Sequence, residues 1–129
     1  MILLDTNIFL EILLEQDKAE DATDFISDKQ SRDLFMSDFT LHSIGVILFS
    51  SRINRKNLFV EFVEDTIIQG GIRVIPLSPL AMESMRSFSR QFNLDFDDAY
   101  QYTVCKNYDL ELASYDSDFD KTDLTRIEP

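Results

Sequence analysis

The sequence predicts an α/β fold in which a central parallel sheet of four to five strands is flanked by helices. Short, continuous apolar runs alternate with longer segments that have helical periodicity. This alternation is typical of parallel sheets covered by helices on both faces. The chain contains only three Gly and three Pro, which favours long helices joined by brief turns. A length of 129 residues suits one domain that spans residues 1–129.

The first candidate strand is Ile2-Leu3-Leu4, a continuous apolar run that ends at Asp5. Such a run is typical of a strand buried on both faces of a parallel sheet. The further candidate strands are residues 34–36, 73–75, 111–113 and, as a short fifth, 126–127. The helices between them are predicted to start with Thr6 or Asn7, residue 18, Ser37 or Asp38, residue 57, Ser78, and Asp95 or Asp97. In the last helix, Ala99, Tyr102 and Cys105 are expected to form the inner side.

The formal net charge of the chain is −12. A general nucleic-acid-binding protein would carry a basic face, so this charge argues against that class. Beside plain solubility, two interpretations remain: some acids bind a cation, or the acidic surface meets a basic partner. The basic cluster of Arg52, Arg55 and Lys56 could contact RNA phosphates or lie at a solvated helix end.

No apolar run approaches the roughly 18 residues that a membrane helix needs. The apolar first segment carries Asp5 and Glu11 and lacks a basic leader and a small-residue cleavage site, so it is not typical of a signal peptide. We therefore expect a cytoplasmic protein without membrane association. The single cysteine, Cys105, can form neither an internal disulfide nor a thiolate zinc site, and we expect it to be a small buried apolar residue.

Three acidic residues fall where a parallel sheet would bring them together. Asp5 ends the first strand, Asp116 follows the fourth, and Asp98 lies in the first turn of the helix before the fourth strand. Ligand sites of such sheets lie at the carboxyl ends of the strands. Clustered carboxylates repel each other unless a cation is present, and hard oxygen ligands suit Mg²⁺ or Mn²⁺. The three positions therefore predict a divalent-metal site, and phosphodiester hydrolysis is one reaction that such a site can catalyse.

Each of these acids also has a purely structural interpretation. Asp5 could be the N-cap of a helix. Asp98 could stabilise a helix dipole, and Asp116 could be a turn residue. The joint placement of the three favours the metal site over three independent structural roles.

The motifs around these acids resemble those of PIN domains. Leu3-Leu4-Asp5-Thr6-Asn7 is similar to the hydrophobic–Asp–Thr/Ser–Asn opening of that family. Asp98-Ala99 resembles its Asp-Ala motif at a helix start. The run Ser114-Tyr115-Asp116-Ser117-Asp118-Phe119 resembles its Thr-x-Asp-x-Asp-Phe block. Order and spacing agree from Ile2 to about Phe119, and Arg126-Ile127-Glu128-Pro129 fits the strand that often ends these domains.

This resemblance implies a Rossmann-like fold and a Mg²⁺- or Mn²⁺-dependent ribonuclease. It points to the toxins of prokaryotic toxin–antitoxin pairs, which are commonly dimers neutralised by an antitoxin protein. Asp5, Asp98 and Asp116 match the acidic catalytic and metal-binding positions of the family, and Asp118 is a candidate accessory ligand. Two residues, Asn7 and Ser114, match its polar supports.

One departure from the family pattern concerns activity. PIN domains usually carry a Glu on the helix after the second strand, and here the corresponding position is Ser43 or, with a shift of one residue, His42. A serine can hold a metal-bound water but adds no charge, and His42 could ligate Mn²⁺ better than Mg²⁺ or could simply be a helix histidine. Loss of this carboxylate should weaken metal binding.

Three functional hypotheses therefore stand. The first is a metal-dependent ribonuclease that acts on RNA, as a toxin with an antitoxin partner. The second is a catalytically weakened PIN-like module that binds another protein. The third is a phosphotransfer enzyme with Asp5 as nucleophile, which Asn7 disfavours because phosphatases of that kind carry a second Asp at this position.

Overall fold

The computed structural model describes all residues from Met1 to Pro129. Its five strands form one parallel sheet in the order β3-β2-β1-β4-β5. The strands are β1 (Ile2–Leu4), β2 (Leu34–Ser37), β3 (Arg73–Ile75), β4 (Glu111–Ala113) and β5 (Arg126–Ile127). The predicted α/β class, the parallel sheet and the short fifth strand are confirmed.

Six α-helices flank this sheet. They are α1 (Thr6–Leu13), α2 (Ala19–Ser27), α3 (Asp38–Phe49), α4 (Lys56–Phe62), α5 (Met82–Phe92) and α6 (Phe96–Tyr108). A wider helical turn, Val63–Ile68, continues α4, and short 3₁₀ turns occupy Pro79–Ala81 and Ser117–Lys121. None of these helices combines the length and the apolar character that a membrane span requires.

The central strand β1 separates two hydrophobic clusters because successive strand residues point to opposite faces. Leu3 belongs to the cluster that lies between the sheet and helices α5 and α6, with Tyr102 and Phe119 among its fully buried members. Leu4 belongs to the cluster on the other face, together with Phe9 of α1. Each face of the sheet is thus covered by helices, as the continuous apolar run of β1 predicts.

Several helix boundaries differ from the sequence predictions. Asp5, and neither Thr6 nor Asn7, caps α1, because Asp5 has extended backbone angles and its side chain accepts a hydrogen bond from the amide of Thr6. The helix predicted to start at Ser78 begins with the 3₁₀ turn, and the regular helix starts only at Met82. By contrast, Ser37 caps α3, in agreement with the first of the two predicted caps.

More residues of α6 are buried than the sequence predicts. Ala99, Tyr102 and Cys105 are buried as expected, but so is every other residue from 99 to 105. The sheet, α5 and the segment after β4 enclose this part of the helix, so its polar members Gln101 and Thr103 are buried too. Burial raises the pKa of the Cys105 thiol, which keeps this cysteine neutral.

Candidate active site

The first and fourth strands bring the predicted acids to one edge of the sheet. Leu4 of β1 lies opposite Ala113 of β4, and the amide of Asp5 donates to the carbonyl of Ala113 at 3.0 Å. Asp5 and the segment from Ser114 to Asp116 therefore leave the sheet side by side. The first turn of α6 adds Asp98.

Asp5 is the buried member of this group, with 7% of its surface exposed. Its Oδ1 accepts hydrogen bonds from the amide of Thr6 at 2.8 Å and from Gln101 Nε2 at 3.0 Å. Its Oδ2 accepts from Ser114 Oγ at 2.7 Å and from Asn7 Nδ2 at 3.2 Å. Although these donors stabilise the carboxylate, burial is the larger effect and raises its pKa above the ordinary 3.8.

Asp98, Asp116 and Asp118 form a tighter group. Each can place one carboxylate oxygen so that all three atoms lie within 4.8 Å of one another. Asp116 is held by its own loop, since its amide donates to Ser114 Oγ at 3.0 Å and its Oδ1 accepts from the amide of Asp118 at 2.9 Å. The fully buried Phe119 anchors this turn in the core.

The environment of Asp98 opposes its negative charge. Burial raises the pKa of Asp98 to about 7, and the neighbouring charges of Asp97, Asp116, Asp5 and Asp118 act in the same direction. Four of these acids, Asp5, Asp97, Asp98 and Asp116, line one pocket of about 350 Å³ that has no lysine, arginine or histidine in its lining. Its lining residues are Asp5, Thr6, Asn7, Leu10, Phe39, Ser43, Ile47, Asp97, Asp98, Gln101 and Asp116.

This donor set fits a divalent cation. Three carboxylates that share one small space, one of them with a strongly raised pKa, cost free energy that a positive ion would offset. All the candidate ligands are hard oxygen atoms, which is the ligand type of Mg²⁺ and Mn²⁺. Asp98, Asp116 and Asp118 could hold such an ion, and Asp5 lines a pocket together with Asp98 and Asp116.

The supporting residues predicted from the sequence fall into two groups. Asn7 and Ser114 both contact Asp5, and Ser43 lines the acidic pocket. His42 is exposed and lies in a neighbouring depression that it shares with Ser43 and Phe39. Of the two positions that could replace the family's Glu, the structure therefore brings Ser43 to the acids and leaves His42 outside their pocket.

Sequence reasoning missed three polar residues of the site. Asp97 lines the pocket next to Asp98, and Thr6 follows Asp5 directly. Gln101 lies one helical turn after Asp98 on α6 and donates to Asp5. Residues three apart on a helix share a face, so the spacing between Asp98 and Gln101 was the available signal.

The sequence matches the family model of the PIN domain over residues 2–124. The protein belongs to the PIN domain family. No curated protein sequence matches the chain.

Solved structures share this fold. VapC20 of Mycobacterium tuberculosis, a sarcin–ricin-loop-cleaving toxin, superposes with a TM-score of 0.82 at 15% identity over 100% of both chains. FitAcB from Neisseria gonorrhoeae gives 0.76 at 24% identity over 99% of this chain and 97% of that one. A toxin–antitoxin complex from Klebsiella pneumoniae gives 0.70 at 18% identity, with 92% and 90% covered.

Proposed function

We propose that this PIN domain protein is a Mg²⁺- or Mn²⁺-dependent ribonuclease and the toxin of a toxin–antitoxin pair. The observation that carries the proposal is the group of Asp98, Asp116 and Asp118, whose carboxylates meet within 4.8 Å beside the buried Asp5. A pocket of this charge without a basic residue is suited to a metal ion. The similar fold of an RNA-cleaving toxin supports RNA as the substrate.

The residues of the site would have distinct roles. Asp98, Asp116 and Asp118 would hold the ion, and Asp5 would present its carboxylate to the same pocket. A bound Mg²⁺ or Mn²⁺ supplies a water of lowered pKa and shields the charge of a phosphodiester. Asn7 and Ser114 keep Asp5 oriented through their hydrogen bonds to its Oδ2.

The test is RNA cleavage by purified protein with Mn²⁺ or Mg²⁺ and with a chelator. We expect metal-dependent cleavage that Asp98→Asn reduces by at least about 100-fold, because such losses are typical when one electrostatic group of a site is removed. Asp24→Asn is the matched control, since Asp24 is an exposed acid on α2 outside the pocket. Cleavage that survives in Asp98→Asn, or wild-type protein that neither cleaves RNA nor binds Mn²⁺ in calorimetry, would refute the proposal.

Ser43 favours a second candidate function. It lines the acidic pocket where the family usually supplies a Glu, so one negative charge is absent from the site. A weakened site would suit a PIN domain that acts by binding another protein. Wild-type protein without metal-dependent cleavage but with a stable partner would favour this candidate.

Ser43→Glu tests the premise directly. The substitution should raise Mn²⁺ affinity about tenfold or more, because it adds a charged oxygen ligand beside the existing acids. His42→Glu is the matched control, since His42 lies outside the acidic pocket and should give little change. An unchanged affinity in Ser43→Glu would show that residue 43 does not face the ion.

The remaining parts of the proposal concern assembly. We propose that residues 1–129 act as one cytoplasmic domain that forms a homodimer and binds an antitoxin protein. The similar fold of the toxin–antitoxin complex from Klebsiella pneumoniae supports the antitoxin. A dimer is supported by three large exposed apolar side chains, Val46, Val60 and Phe96, because their burial in an interface would be favourable. A native mass of about 15 kDa at micromolar concentration would refute the dimer.

A further inference from the structure

We propose that Gln101 is a positioning residue that fixes the carboxylate of Asp5 relative to Asp98 so that both can serve the metal ion. The inference deepens the proposed function and rests on it. Gln101 is 1% exposed and lies on α6 one turn beyond Asp98. Its role is to connect the elements that carry the acids, and it needs no contact with substrate.

Every hydrogen-bonding group of this amide is used. Gln101 Nε2 donates to Asp5 Oδ1 at 3.0 Å and to Thr40 Oγ1 at 2.8 Å. Gln101 Oε1 accepts from Ser37 Oγ at 2.7 Å. Since a primary amide offers two N–H donors and one carbonyl oxygen, both donors are engaged. No buried side-chain polar atom of the protein lacks a partner.

The orientation of the amide is determined by its neighbours. An ionised Asp5 can only accept, so it must face Nε2. Ser37 Oγ accepts from the amide of Thr40 at 3.0 Å, and its hydroxyl has two acceptors within reach, Gln101 Oε1 at 2.7 Å and Thr40 Oγ1 at 3.2 Å. A reversed amide would set its carbonyl oxygen against the Asp5 carboxylate, with two acceptors facing each other and no proton between them. The side chain is therefore held in one conformation.

Gln101 differs from the other donors to Asp5 in the element that carries it. Thr6 and Asn7 follow Asp5 in the chain, and Ser114 comes from the segment after the neighbouring strand β4. Gln101 alone comes from α6, the helix that also carries Asp98. Its bond to Asp5 thus joins the end of β1 to the helix face on which Asp98 lies.

The same amide reaches a third element. Ser37 ends β2 and caps α3, and Thr40 lies in the first turn of α3. Thr40 Oγ1 is also 3.0 Å from Thr6 Oγ1, which follows Asp5. Helix α3 carries Ser43, which lines the pocket. Through one buried amide, the ends of β1 and β2 and the start of α6 are held in fixed relation.

The test compares Gln101→Met with Val104→Ala. Met keeps the length and shape of the side chain but donates no hydrogen bond, whereas Val104 is a fully buried apolar residue of the same helix whose side chain forms no hydrogen bond. Mn²⁺ affinity is measured by calorimetry, and the ¹³Cγ resonance of Asp5 is measured by NMR without metal. Urea unfolding reports how much each variant is destabilised.

We expect Gln101→Met to weaken Mn²⁺ binding about tenfold or more, since hydrogen bonds to charged groups contribute about that factor to an equilibrium constant. The Asp5 ¹³Cγ resonance should shift as well. Val104→Ala should leave the affinity within about twofold and the resonance in place, although it also lowers stability. Gln101→Asn keeps an amide that is too short to reach both Asp5 and Ser37, so the same losses are expected if Gln101→Met does not fold.

Equal losses of affinity in Gln101→Met and Val104→Ala would overturn the inference, because a merely structural role explains both. An Asp5 resonance that does not move in either Gln101 variant would also overturn it. A wild-type protein that binds no Mn²⁺ would instead overturn the proposed function. The metal-free Asp5 resonance then decides the inference about Gln101 by itself.

Discussion

Asp98→Asn should stabilise the metal-free protein at neutral and alkaline pH while it removes metal binding. Burial and the surrounding acids raise the pKa of Asp98 to about 7 from an ordinary 3.8. A native state that carries this ionised carboxylate is therefore strained electrostatically. Asn has nearly the shape of the protonated acid and no charge, so it removes the strain without opening a cavity.

The magnitude follows from the two pKa values. A difference of this size corresponds to an upper limit of about 4 kcal/mol. Asp98 is only half-buried, and solvent screens its interactions, so we expect a gain of about 1–2 kcal/mol in the free energy of unfolding at pH 8. For a protein of this size such a gain raises the Tm by about 3–10 °C.

The difference in the free energy of unfolding between the variant and the wild type depends on pH. Because the folded-state pKa of Asp98 is raised, its favourable contribution is complete below pH 3.8 and is lost as the pH rises towards about 7. The variant has no such group, so the stability difference between the variant and the wild type should be near zero at pH 4. It should grow through pH 7 and become constant above it.

Urea unfolding at several pH values, with a chelator present, measures this difference. Asp24→Asn on α2 is the control and should show no comparable gain. Added Mn²⁺ should reverse the order, since an ion that binds only the folded wild type stabilises it. A variant that is no more stable than the wild type at pH 8 would refute the electrostatic account of the pocket.

Three further substitutions test the frame around the site. Phe119→Ala removes a fully buried ring behind Asp116 and should cost about 3–5 kcal/mol, or about 10–20 °C in Tm by calorimetry; a loss below about 5 °C would contradict this. Tyr102→Phe removes the 2.6 Å hydrogen bond to Asp123 that lowers the pKa of that carboxyl, so NMR titration should show the Asp123 pKa rising, and an unchanged value would refute the contact as its cause. Gly70→Ala would place a Cβ 2.5 Å from two backbone carbonyl oxygens and should cost more than about 2 kcal/mol in urea unfolding. In the control Gly45→Ala, the Cβ meets only the tip of the Phe59 ring at 3.2 Å, so equal effects of the two substitutions would contradict this account.

The parts of the fold that the sequence predicts are those with a strong local signal. The apolar run before Asp5 predicts a strand buried on both faces because few other structures bury three consecutive side chains. The positions of Asp5, Asp98 and Asp116 predict their convergence because the carboxyl ends of parallel strands meet at one edge. Both expectations depend on backbone pattern, which sequence spacing records.

The features that the sequence does not predict depend on tertiary packing. Glutamine is a polar residue that is usually exposed on helices. The burial of Gln101 follows from the enclosure of α6 by the sheet, α5 and the segment after β4. The wide helical turn Val63–Ile68 has the same apolar periodicity as an ordinary helix. The separation of Ser43 from His42 depends on the rotation of α3 about its axis, which a shift of one residue in the sequence comparison cannot resolve.

The central place of β1 in the sheet determines when during synthesis the site can exist. This first strand must wait for β4, more than a hundred residues later, before its neighbour on that side is available. A ribosome-bound chain that has emerged as far as β3 carries Asp5 but lacks Asp98 and Asp116. Pairings of such long range are slow steps in folding. The acidic pocket is therefore completed only after β4 and the segment behind it have emerged, and until then Asp5 lacks its acidic neighbours Asp98 and Asp116.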